Sequence, residues 1–163
     1  MISIIVAIAQ NGAIGYKGDL IYHLSADLKR FKKLTTGNVV IMGHNTFESL
    51  PKGALPNRRN IVLSHQKDLS LPGAEVYSSL DEALCHCFRD EKVYIMGGAQ
   101  VYAQALGLAD ELEITLVHDT PAQADAFFLE FGNDESWYLE NKEDHEADEK
   151  NPYAYSFLTY KRI

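Results

Sequence analysis

The hydrophobic pattern divides the chain into short apolar runs and a few amphipathic segments. Ser3 to Ala9 is rich in β-branched residues and reads as a buried strand. Val39-Val40-Ile41-Met42, Ile61-Val62-Leu63 and Lys92-Val93-Tyr94-Ile95-Met96 have the same character, and Glu75-Val76-Tyr77 is a shorter candidate. Leu112 to Val117 alternates like a strand with one wet side, and Trp137 to Lys142 and Tyr153 to Lys161 read as two long closing strands. Helical spacing appears in Leu24, Leu28, Phe31 and Leu34, again from Leu80 to Phe88, and after Gly97-Gly98. Ser25 is the expected cap of the first helix, and Ser78 or Ser79 that of the second. The alternation of strand and helix predicts an α/β fold with a parallel core sheet and helices on both faces. The closing strands suit an antiparallel edge.

The connections carry their own signals. Gln10 to Asp19 holds three glycines and reads as a long loop, with Ile14 and Leu20 offering apolar surface to a covered ligand. Pro51 to Asn60 is an irregular turn carrying Lys52, Arg58 and Arg59. Glu143 to Lys150 is rich in carboxylates and reads as a solvated turn. Three strand ends are polar or glycine-rich: Gly43-His44-Asn45-Thr46, Ser64-His65-Gln66 and Gly97-Gly98-Ala99-Gln100. In a parallel sheet these lie at the carboxyl edge, where α/β proteins bind ligands. Two of them open helices, so backbone N–H groups there suit a phosphate, although the GxGxxG pattern is absent.

Composition narrows the function. At 163 residues the chain has the length of one domain, and 46% hydrophobic with 23% charged residues is ordinary for a globular protein. A formal net charge of -8 argues against general binding to nucleic acid or an anionic membrane. The apolar start, Met1 to Ala9, is too short to span a bilayer and lacks a basic leader. Cys85 and Cys87 have neither zinc nor redox spacing, so a cytosolic location is expected. The six histidines show no metal-ligand spacing, and no Gly-x-Ser-x-Gly elbow is present.

One residue breaks the pattern of the first helix. Asp27 lies three residues after Leu24 and four before Phe31, inside the apolar stripe, while Lys29, Arg30, Lys32 and Lys33 take the other face. A carboxylate pushed toward an apolar interior must be paired, ligand-bound or protonated. A first-turn acid also interacts well with the helix dipole, so spacing alone leaves helix-capping and chemistry both open. Tyr102 and Thr115 are likewise open between core and site.

Taken together, these segments resemble dihydrofolate reductases of the bacterial type, nearly end to end. The likeness rests on Ile2 to Ala7, Ile14-Gly15, Leu24 to Phe31, Val40-Ile41-Met42-Gly43, Thr46 to Leu50, Leu55 to Ser64, Ile95 to Tyr102 and Asp125 to Phe128. It implies one domain over residues 1–163, with three layers around a central, mostly parallel eight-stranded sheet. It also implies NADPH-dependent reduction of 7,8-dihydrofolate to tetrahydrofolate in one-carbon metabolism, by a cytoplasmic monomer. Asp27 would bind the pterin N3 and 2-amino group, with Thr115 behind it. A water would protonate N5, and burial would raise the pKa of Asp27. Ile5, Leu28, Phe31 and Leu50 would wall the substrate, and Arg58, assisted by Lys52, would hold its glutamate carboxylate.

For the cofactor, the resemblance implies Ala7 and Ile14 at the carboxamide, with Met96, Gly97, Gly98, Ala99 and Tyr102 alongside and a cis Gly97–Gly98 peptide. Asn45, Thr46, Gln100 and Val101 would serve the pyrophosphate. Ser64, His65, His44 and Lys67 would meet the 2′-phosphate, and Ala13 to Leu20 would form a lid. Ile21-Tyr22 stands where Pro-Trp is usual, so Tyr22 is assigned the water. His44 and Gln100 stand where Arg is frequent, which points to a weaker or pH-dependent preference for NADPH over NADH. Competing readings are a reductase of another pterin or a ribosylamino-pyrimidine, and a folate- or nucleotide-binding protein without turnover.

Overall fold

The structure is a computed structural model that describes residues 1–66, 68–131 and 135–163. Its strands are β1 (Ile2–Ala9), β2 (Ala13–Tyr16), β3 (Asp19–Leu20), β4 (Val39–Gly43), β5 (Arg59–Leu63), β6 (Ala74–Tyr77), β7 (Val93–Ile95), β8 (Glu111–Val117), β9 (Ala126–Phe127), β10 (Trp137–His145) and β11 (Tyr155–Arg162). Its helices are α1 (Ser25–Thr35), α2 (His44–Glu48), α3 (Leu80–Cys85) and α4 (Ala99–Ala105). Eight strands form one sheet in the order β10-β11-β8-β1-β7-β4-β5-β6. β8 through β6 run parallel, and β11 and β10 close the edge antiparallel.

The apolar runs lack alternation because both sheet faces are covered. Val39, Ile41, Ile61 and Ile95 pack in one cluster with Leu80, Ala83, Val101 and Ala105 from α3 and α4. Val40, Met42, Val62 and Tyr94 pack on the opposite face with Phe47, Phe31 and Leu34 from α2 and α1. This is the predicted three-layer α/β arrangement.

Several expectations change. Gln10 to Asp19 is not a plain loop: β2 and β3 form a hairpin, joined to β9 in a second, three-stranded sheet. Its turn residues Lys17 and Gly18 both have positive φ, 52° and 81°, which suits a tight hairpin turn matching the strand twist. The wet side of β8 is buried, because Glu111 pairs with Lys92 and Lys161, and Glu113 with Arg30. α3 stops at Cys85, earlier than expected, although Ser79 caps it by accepting from the Glu82 N–H at 3.1 Å. β10 runs on to His145, so only the later part of the acidic stretch turns.

Ser25 does not cap α1. Leu24 holds the cap position, and the free N–H of Ala26 donates to Asn151 Oδ1 at 2.9 Å. Asn151 sits before β11, buried, its amide Nδ2 donating to Asp148 Oδ1 at 3.0 Å. The turn between β10 and β11 thus supplies the cap from the far end of the chain. Asn151→Ala is expected to lower unfolding stability by about 1 kcal/mol in urea titration, and Ser25→Ala by well under half that. A larger loss for Ser25→Ala would contradict this capping scheme.

Candidate active site

The carboxyl ends of β1, β4, β5, β6 and β7 open on one side of the sheet, and two adjoining cavities lie there. The first, about 460 Å³, is lined by Ile5, Val6 and Ala7 of β1, by Asp27, Leu28 and Phe31 of α1, and by Leu50, Met96, Gly97 and Tyr102. Ile14, Gly15, Tyr16, Leu20 and Asp125 close it from the three-stranded sheet side. The second, about 440 Å³, is lined by Gly43, His44, Asn45, Thr46, Ser64, His65, Ser78, Ser79, Gln100, Val101 and Gln104. Asn45, Thr46, Gly98 and Ala99 border both, so the two form one elongated groove.

Asp27 is the acid on the helical wall of the apolar half. Its Oδ1 accepts from Thr115 Oγ1 at 2.6 Å. Thr115 is only 2% exposed, so the strand side of the carboxyl is dry. Burial pushes the Asp27 carboxyl up from its ordinary range, while the Thr115 hydroxyl and the Arg30 cation pull partly the other way. Leu28 and Leu20 are 54% and 58% exposed in the same cleft, leaving apolar surface for a ligand to cover. Thr115 thus sits behind the cleft wall, bonded to Asp27.

Other expected positions fall differently. Tyr22 is buried outside the cleft lining, and its hydroxyl donates to Asp119 Oδ2 at 2.7 Å, edge-on to Tyr153. That hydroxyl is committed to a carboxylate rather than aimed at Asp27. Ala13 is buried, and Lys52 is exposed; neither lines the groove. Arg58 is also off the lining. Its Nε donates to Pro56 O and its Nη1 to Thr35 Oγ1, 2.9 and 3.1 Å, and burial lowers its pKa. These bonds hold the guanidinium near Thr35, about two turns or roughly 12 Å along α1 from Asp27.

The groove floor is glycine. Gly43 N–H donates to Gly97 O at 2.8 Å, and the Gly97–Gly98 peptide is cis. A Cβ on Gly43 would lie 3.4 Å from Val101 Cγ2, one on Gly98 would lie 3.7 Å from Thr46 Oγ1, and Gly97 has φ of 120°. Side chains here would narrow the passage between the two cavities. Tyr102 is core and site at once: it lines the cleft and donates to Ile5 O at 2.9 Å. At the far end the polar side chains are Ser64, His65, Ser78, Ser79, Gln100 and Gln104, with no Lys or Arg among the described lining residues. Lys67 lies outside the described residues. His44 Nε2 is already 2.9 Å from Glu48 Oε1.

The chain matches the family model for dihydrofolate reductase over residues 1–162. The chain belongs to the dihydrofolate reductase family. It is 43% identical to the dihydrofolate reductase of Bacillus subtilis (strain 168) over 162 residues, covering 99% of this chain and 95% of that one. It is 43% identical to that of Neisseria gonorrhoeae over 159 residues, 98% and 96% of the two chains. A solved structure of dihydrofolate reductase from Enterococcus faecalis, complexed with NADP(H) and RAB-propyl, superposes with a TM-score of 0.91 at 36% identity, covering 99% and 96%.

Reading residues alone missed Arg30 and Glu113 beside Asp27. The signal was a Glu two positions from Thr115 on a strand whose other neighbours are apolar. It missed Asn151 too, since no local pattern reports a cap 125 positions away.

The raised Asp27 pKa has a stability consequence. A carboxyl harder to ionise folded than unfolded contributes stability below the unfolded pKa, and loses it as pH rises through the folded one. Asp27→Asn removes that loss. The variant is expected to melt above the parent at mildly alkaline pH, with the gap closing in acid; a gap that widens in acid would contradict the sign.

Proposed function

We propose that the protein reduces 7,8-dihydrofolate to 5,6,7,8-tetrahydrofolate with NADPH. The observation that carries this reading is the Asp27–Thr115 pair in an apolar cleft continuous with a glycine-floored groove. A flat heterocycle suits the first half and a dinucleotide the second. NADPH, when bound, supplies the hydride that reduces the pterin at C6.

This chain's residues do the rest. Asp27 accepts from the pterin N3 and 2-amino groups, a two-point contact that sets which edge of the ring faces inward. Thr115 holds the carboxyl against β8, so little reorientation is needed on binding. Ile5, Leu28, Phe31 and Leu50 cover the ring and benzoyl group and exclude water, with Leu20 and the β2–β3 hairpin closing the mouth. N5 takes its proton from water admitted beside Asp27. With the Tyr22 hydroxyl committed to Asp119, no role in that delivery falls to it. Arg58 receives the glutamate carboxylate at the Thr35 end of α1, with Lys52 at the rim. That carboxylate partner separates this reading from a ribosylamino-pyrimidine reductase.

Ala7, Ile14, Leu20 and Met96 through Tyr102 hold the nicotinamide half, and Asn45, Thr46, Gln100 and Val101 the pyrophosphate. Ser64, His65 and His44 are left for the 2′-phosphate. This reading keeps a monomer in the cytosol, where the free thiols of Cys85 and Cys87 stay reduced. Among the described residues no helix is long and apolar enough to cross a membrane.

Loss of NADPH absorbance with dihydrofolate tests the activity. Asp27→Asn is expected to reduce turnover near neutral pH by about 100-fold or more while leaving NADPH affinity within about twofold. Binding of both ligands by the parent without oxidation would favour a non-catalytic binding protein. Parallel assays with NADPH and NADH are expected to show a modest preference for NADPH, because no Lys or Arg is among the described residues lining the polar half of the groove. A His65→Ala variant with an unchanged preference would remove His65 from the 2′-phosphate.

A further inference from the structure

We propose that Arg30 and Glu113 act as a positioning pair for Asp27, fixing its carboxyl against Thr115 and setting how readily it ionises. This rests on the reading of Asp27 as the group that meets the substrate.

The geometry is a ladder with two rungs. Both rungs join α1 to β8. The first is Asp27 to Thr115, at 2.6 Å. The second is Arg30 to Glu113, an ion pair between a largely buried guanidinium and a carboxylate 7% exposed. Arg30 follows Asp27 by three positions on the helix, so the two side chains share a face. Glu113 precedes Thr115 by two positions on the strand, so those two share a face as well. Arg30 is not the solvent-facing cation its neighbours Lys29, Lys32 and Lys33 suggest. Its guanidinium lies over the Phe157 ring, 4.6 Å from the centroid. Glu113 Oε2 also accepts from Thr159 Oγ1 at 3.0 Å, so strand β11 braces the second rung.

The electrostatic consequence has opposite signs for the two partners. The Arg30 cation favours the ionised form of Asp27, and Glu113 cancels much of that field. Remove the cation, and Asp27 becomes harder to ionise. Remove only the Glu113 charge, and an uncompensated cation sits beside Asp27, which becomes easier to ionise. Other charges are few. Tyr102, from α4, keeps its hydroxyl on Ile5 O. Asp19 and Asp125 line the cleft from the loop side, Asp125 accepting from Lys17 N–H at 3.0 Å. Glu111, next along β8, is paired with Lys92 and Lys161.

The test is a direct titration of the Asp27 carboxyl by carbon NMR in the ligand-free chain, its resonance assigned with Asp27→Asn. Arg30→Met should move the midpoint up and Glu113→Gln should move it down, each by on the order of half a pH unit or more. Arg30→Lys should restore the parent midpoint largely, and the double variant should lie between the singles. Stopped-flow hydride transfer should show its alkaline fall displaced the same way in each variant. Singles that shift in the same direction, or rates that drop with an unmoved midpoint, would overturn the proposal and leave the pair a plain structural brace. Glu113→Gln is nearly isosteric, so it carries the test if Arg30→Met fails to fold. A parent that titrates as described yet never oxidises NADPH would sink the functional reading while leaving this one standing.

Discussion

The site depends on burying one carboxyl beside a strand and keeping it usable. Asp27 loses most of its water to α1, β8 and the cleft walls, which disfavours the ionised form. One hydroxyl bond from Thr115 and one nearby cation return part of that stabilisation. The balance leaves a carboxyl that is harder to ionise than an exposed aspartate. That is what a site needs if it must orient a ring containing both donors and acceptors while a proton arrives from water.

The fold exists around this carboxyl as a set of supports. The parallel sheet brings the ends of β1, β4 and β7 to one edge and leaves a groove there. Helix α1 lays Asp27, Leu28 and Phe31 along that groove. Its start is tied to the β10–β11 turn through Asn151, and its far end to Arg58 through Thr35. The antiparallel edge therefore does more than finish the sheet: β11 and its preceding turn hold the helix that carries the acid. Glycines at 43, 97 and 98 keep the second half of the groove open where the strands end.

Much of this was legible from residues alone, for physical reasons that differ by element. β4, β5 and β7 were plain because strands covered on both faces are unbroken apolar runs. Asp27 stood out because it interrupts a helical stripe. The β2–β3 hairpin was not legible, since its strands are short and its glycines resemble those of any loop. β8 misled in an instructive way. Glu113 looked like part of a wet face, but it finds a cation from a distant segment, as Glu111 before it does, and no local pattern carries that information. Ser25 looked like a cap for the same reason, when a buried asparagine near the other end of the chain supplies the bond. The family resemblance located Tyr22 next to the site, yet the direction of its hydroxyl is decided by Asp119.

The polar half of the groove shows the opposite economy. It has hydroxyls, amides and histidines but no Lys or Arg among its described lining residues. The central claim, however, concerns the other half. The most direct measurement is an experimental structure of the protein with folate and NADP⁺ bound. The pterin N3 and 2-amino nitrogens should lie within hydrogen-bond distance of the Asp27 carboxylate, with the Thr115 bond retained. A pterin seated elsewhere, or an Asp27 turned to bulk water, would contradict it.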